Sequence, residues 1–153
     1  MLRKLLALAG AIAALAIGIN PVFADHLDAS LSIESVARLT SDRLVVFVTG
    51  TYKCGPMDTT PNPFVDVTFV NVIVRQASGR VINQGFGGAN LICDDTTRSF
   101  QAPASDQLLV PWHGGLARVR ADIIMQDCDE SFDNCHFFNT SVESQIKIRG
   151  GTR

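Results

Sequence analysis

No stretch of this chain stays apolar for long enough to cross a bilayer. The longest apolar run, residues 5–19, falls short of the roughly 20 residues a spanning helix needs, and Pro21 follows almost at once. The run lies between the basic start Arg3-Lys4 and the small-residue ending Val22-Phe23-Ala24, the three-part layout of a cleavable signal peptide over residues 1–24. Asp25 is then the expected new N-terminus, and no Cys stands beside it to carry a lipid. The expected location is secreted/extracellular, or periplasmic where an outer membrane exists.

Other absences narrow the chemistry. There is no C-x-x-C pair, and cysteine spacings of 39, 35 and 7 fit neither a zinc finger nor a ribbon. There is no G-x-S-x-G elbow, and only three histidines, His26, His113 and His136, none with a second ligand at useful spacing. A Ser-His-Asp set can assemble from remote positions, so distance alone does not exclude it. No long run of one charge occurs. Without Arg3 and Lys4 the 13 basic residues become 11 against 15 acidic, a formal charge of about −4, which gives no reason to expect nucleic acid or anionic lipid. No internal repeat appears, and helical periodicity is missing after the signal.

What is present is period-two alternation. Leu44, Val46, Val48, Gly50, Tyr52 and Cys54 share one face of an extended run. Ala117, Val119, Ala121, Ile123 and Met125 share another, with Arg118, Arg120 and Asp122 opposite. The apolar phase shifts from Val65, Val67 and Phe69 to Val70, Val72 and Val74, which predicts a β-bulge near Phe69-Val70. Turn signals divide the chain into seven strands over 29–39, 43–54, 64–76, 80–93, 97–101, 116–127 and 139–149. Residues 103–111 read as irregular between Pro103 and Pro111. The expected fold of the single domain 25–153 is all-β, a seven-stranded immunoglobulin/fibronectin-like sandwich, with a small barrel as the alternative.

Three short motifs carry a resemblance: Gly50-Thr51-Tyr52-Lys53-Cys54 ending one strand, Cys93-Asp94 ending another, and G-x-A-x-V-x-A from Gly115 to Ala121. Together they resemble uncharacterised secreted bacterial immunoglobulin-like domains. The resemblance implies a sandwich and export, and no activity. The segment between Cys128 and Cys135 departs from it.

If strands run alternately up and down, Cys54, Cys93, Cys128 and Cys135 gather at one end of the domain. An even count in an exported chain predicts two disulfides. The preferred pairing is Cys54–Cys93 with Cys128–Cys135, closing loops worth roughly 4 and 2.5 kcal/mol by chain entropy. A Cys54–Cys128 bond across the sheets is the alternative. The segment 127–135 alternates Asp127, Asp129, Ser131 and Asp133 like the opening of a calcium loop. Phe132 and Phe138 occupy the places of its glycine and glutamate, so these acids are weak metal candidates and a solvated hairpin tip is expected instead.

Phe132, Phe137 and Phe138, with Met57 in a proline-bracketed loop, form a candidate partner surface at that same end, or else plug the core. No catalytic residues and no cofactor are assigned. Asn139-Thr140-Ser141 is a formal glycosylation sequon, expected to be idle behind a bacterial-type signal. The functional expectation is a binding or structural module for a protein or cell-envelope component. A small secreted hydrolase or an enzyme inhibitor is the alternative.

Overall fold

The computed structural model describes residues 28–55, 67–128 and 135–150, with backbone alone at 67, 127–128 and 135–136. Alternating apolar residues build every element. In chain order these are β1 (Ala29–Ile33), β2 (Val36–Leu39), β3 (Val45–Cys54) and β4 (Val67–Ser78). They continue as β5 (Val81–Asn90), β6 (Arg98–Asp106), β7 (Gly115–Cys128) and β8 (Cys135–Gly150).

The eight strands form a single sheet that closes on itself. β1 and β2 follow one another along the same edge of β3, so they act as one bent stave. β3 then pairs with β6 from Val45↔Ser105 to Tyr52↔Arg98, β6 with β5, β5 with β4, β4 with β7, and β7 with β8. β8 returns to β2 in the one parallel ladder, Val36↔Lys147 to Leu39↔Gly150. The result is a seven-stave barrel, which corrects the expected immunoglobulin-like sandwich. Alternation records which face of a strand is buried but not which edges pair, so the alternation allows either architecture.

Small interior residues permit the curl. Ala102 and Ala104 on β6 and Ala117 and Ala121 on β7 are buried among Val46, Val48, Val70, Val72, Val74, Val119 and Ile123. At Gly87 an added Cβ would lie 1.6 Å from the Pro103 carbonyl oxygen, so β5 and β6 meet where only glycine fits. Two further expectations are corrected. The β4–β7 ladder runs one-to-one from Val67 to Arg75, without a bulge at Phe69-Val70. β6 continues through Pro103 to Asp106 instead of stopping at residue 101, because β3 supplies a partner along its whole length.

The strand order fixes the barrel's ends. β6 and β7 are consecutive in sequence but have two staves, β5 and β4, between them, so residues 107–114 must cross one end of the barrel. Trp112 drops from that crossing into the interior and is fully buried. Its backbone N–H donates to the Arg43 carbonyl (2.8 Å), and Arg43 Nε donates to the Trp112 carbonyl (2.7 Å). Two buried amides anchor the neighbouring residues. Gln76 Nε2 donates to the His113 carbonyl (2.8 Å) while Gln76 Oε1 accepts from the His113 N–H (3.2 Å), and Asn83 Nδ2 donates to the Pro111 carbonyl (3.4 Å). Buried amides are thus satisfied by the crossing segment, as burial of polar groups demands.

Gly85 makes room for the indole: an added Cβ there would stand 2.5 Å from Trp112 Cζ2 and 2.8 Å from the Ser105 backbone. Gly85→Ala is expected to destabilise the barrel by about 1–3 kcal/mol through overpacking. Trp112→Ala is expected to cost about 3–5 kcal/mol through the emptied space. Urea titration followed by circular dichroism measures both, and the emission of Trp112, the chain's one tryptophan, follows the Gly85 variant independently.

Candidate functional site

The cysteine-bearing end is held by a disulfide between Cys54 and Cys93, with Cα atoms 4.8 Å apart. Around it the Ile92 N–H donates to the Tyr52 hydroxyl (3.0 Å), and the Asp95 N–H donates to the Cys54 carbonyl (2.8 Å). Arg98 donates to Asp94 (Nε–Oδ1 3.1 Å), and this contact holds the Asp94 carboxyl down at about 2. Of the expected pairing, Cys54–Cys93 is present. Cys128 and Cys135 stand directly opposite at the last rung of the β7–β8 ladder, and their side chains lie outside the described residues. Directly opposed strand residues have Cα atoms about 4.5–5.5 Å apart, within the span of a disulfide.

The sequence-derived partner surface is only partly described. Phe138 is half-buried and packs against the core, while Phe137 on the same strand is 71% exposed. Met57, Phe132, Asp129 and Asp133 lie outside the described residues, as does the Asp127 side chain. Among the described residues no three His, Cys, Asp or Glu side chains converge on a point. His113 contacts the Gly114 carbonyl through Nδ1 (3.0 Å) and belongs to the crossing segment rather than to a cluster with a carboxylate.

The opposite end, capped by Trp112, carries what the sequence concealed. Leu108, Leu109 and Val110 on the crossing segment face solvent, Leu108 at 84% exposure. Val81 and Ile82 at the β4–β5 hairpin tip and Leu116 at the start of β7 add three more exposed apolar side chains, each above 60%. The hairpin is tight: Ser78 pairs with Val81 around Gly79, whose φ of +62° suits the first position of a type II′ turn. The Asn83–Pro111 hydrogen bond ties this hairpin to the crossing segment.

The leucine pair is held in place. The Leu108 N–H donates to Asp106 Oδ1 (2.7 Å), and the Leu109 N–H donates to the Asp106 carbonyl (3.1 Å). Leu109 itself sits at φ +55°, in the left-handed region that a leucine adopts at a cost of roughly 1–2 kcal/mol. The fold therefore keeps an apolar side chain in water on a strained, pinned turn. Neither burial nor chain reversal calls for a leucine there.

Charge is sorted along the barrel axis. At the Trp112 end stand Arg75, Arg80, Arg118 and Arg120 on one side, and Arg38, Arg43, Lys147 and Arg149 on the other. Five acids share that half, and all are engaged; Glu34 accepts from the Thr49 hydroxyl (2.6 Å). Asp106 is tied into the turn, Asp42 accepts from the Thr40 hydroxyl and the Leu44 N–H, Asp122 is buried against Arg120 (2.9 Å), and Glu143 lies 3.8 Å from Arg118. The Thr40 hydroxyl and Leu44 N–H also hold the Asp42 carboxyl below its usual range. The described residues of the cysteine end carry Asp28, Asp94 and Asp95 against Lys53 and Arg98.

On the outer wall, an open groove of about 580 Å³ runs down from the basic end between Arg75, Arg118 and Arg120, floored by Ile73, Ile82 and Leu116. Counting charges along the sequence cannot find this grouping, because the cations lie on four different strands and two turns. They meet only when alternate strand ends are brought to one pole.

No protein-family model matches the chain, and no curated protein matches it.

Replacing Leu109 by glycine relieves the left-handed strain and is expected to raise stability by about 0.5–1 kcal/mol. Asp106→Ala should instead lower it by about 1 kcal/mol and speed amide exchange at Leu108 and Leu109. Denaturant titration with amide exchange by NMR measures both effects. A destabilised Leu109→Gly protein would mean that the leucine serves packing.

Proposed function

We propose that this chain is an exported binding module, with no chemistry of its own, that docks through the Trp112 end of its barrel. The supporting observation is the strained turn that holds Leu108 and Leu109 in solvent at the same end of the barrel as the exposed Val81, Ile82 and Leu116. A globular protein gains nothing in stability from that arrangement, and exposed apolar side chains gathered at one end fit a surface that is covered by a partner. Strain maintained at one turn is the usual trade of stability for function.

Export is supported by the signal-like residues 1–24 and agrees with a Cys54–Cys93 disulfide, a bond that persists in oxidising compartments. The partner is then a component of the cell envelope or of the extracellular medium. The phenylalanines at the cysteine end, Phe137 above all, remain a second contact surface under the same reading, since Phe137 also faces solvent.

The test combines recovery with retention. Chain exported by the producing cell should have an intact mass that begins at Asp25. It should bind washed cell envelopes, and a Leu108→Ser/Leu109→Gly variant of equal or greater stability should lose at least tenfold in binding. Retention of the full-length chain, or equal binding by that variant, contradicts the proposal.

A further inference from the structure

We infer that the surface covered by the Trp112 end is an anionic lipid bilayer. The inference rests on the reading of this end as the docking face and names its partner. Leu108 and Leu109 on a pinned turn and Val81 and Ile82 at a hairpin tip are all exposed at this end of the barrel, Ile82 on its outer wall. Exposed apolar tips fit a deformable acceptor, because a bilayer interface closes around them without a preformed complementary cavity. The same logic governs amphipathic elements that lie in the interface with apolar groups at the acyl boundary and cations at headgroup level.

The charges match such a surface. Arg80 adjoins Val81 and Ile82 in the hairpin, Arg118 follows Leu116 by two residues on the same outer face of β7, and Arg43 is bonded to the residue that caps the barrel. The acids of that half, Glu34, Asp42, Asp106, Asp122 and Glu143, keep their charge in these contacts, but eight cations outnumber the five, so the described residues of this end carry a net positive charge. The net charge of the whole chain is acidic and opposes such a surface. The sorting of charge by barrel end answers that count: among the described residues eight cations face five acids at the Trp112 end and two face three at the other, and attraction over a Debye length depends on the near face. A basic patch beside anionic lipid gains about fivefold in affinity for each cation near the surface.

Sedimentation with phosphatidylcholine vesicles, with and without phosphatidylglycerol, tests the inference on the exported chain. Binding should require phosphatidylglycerol and weaken as salt is raised. Arg80→Glu/Arg118→Glu should reduce it by tenfold or more, and Leu108→Ser/Leu109→Gly by a similar factor. Ile92→Ser, which alters an exposed apolar residue at the cysteine end, should leave it unchanged. Trp112 emission confirms that each variant is folded. Equal binding to neutral vesicles, or loss of binding in the Ile92 variant alone, overturns the inference. Absence of vesicle binding while envelope binding persists and still depends on Leu108 and Leu109 overturns the lipid and points to an acidic protein, leaving the docking face in place. Absence of both overturns the docking face as well.

Discussion

The ladder between β3 and β6 is the constraint from which the rest of the molecule follows. It joins eight residue pairs between strands that are far apart in sequence, and it removes the edges that a two-sheet sandwich would leave open. With β3 on one flank of the β4–β5–β6 meander and β7 on the other, the chain leaving β6 has no adjacent stave to enter. It crosses the barrel end instead. The crossing brings Trp112 over the open interior, Gln76 and Asn83 are buried to hold it, and Gly85 is emptied of side chain to receive the indole. The turn that starts the crossing is where Leu108 and Leu109 are displayed. Topology, end cap and docking face are consecutive consequences of one non-local pairing.

The two ends of the barrel are built by different means. One is fastened covalently by Cys54–Cys93 and trimmed with ion pairs between Lys53 and Asp95 and between Arg98 and Asp94. The other is fastened by an indole and amide hydrogen bonds, and its cations outnumber its acids. Exposed ion pairs contribute little to stability, so the charge sorting has no evident folding purpose. Its effect is on long-range orientation: an acidic protein with one basic end approaches an anionic surface that end first. Exposed leucines on the same end then supply what electrostatics alone does not, an apolar contact that survives at higher salt.

Much of the fold is legible in the sequence. Alternation along Val46-Val48-Gly50-Tyr52-Cys54 and along Ala117 to Met125 gives the inward faces correctly, and the strand limits fall within three residues of those observed except at the end of β6 and the start of β8. Up-and-down strand direction gathers the cysteines at one end but leaves Cys54–Cys93 and Cys54–Cys128 both open, and the structure shows the preferred Cys54–Cys93 bond. What alternation does not encode is edge pairing, so the sandwich is wrong and the barrel, the alternative fold, is right. The docking end was illegible for a related reason. Leu108-Leu109-Val110 reads as an irregular stretch between prolines, and the arginines read as solvated outer faces of separate strands. Only the left-handed φ of Leu109 and the meeting of strand ends give either group a meaning.

Hydrogen exchange read by mass spectrometry, on the exported chain with and without phosphatidylglycerol vesicles, tests the account most directly. Residues 107–114 and 79–82 should gain protection together, with residues 91–97 at the cysteine end unchanged. Protection confined to 91–97, or none anywhere under conditions where the protein is vesicle-bound, would show that the Trp112 end is not the face that docks.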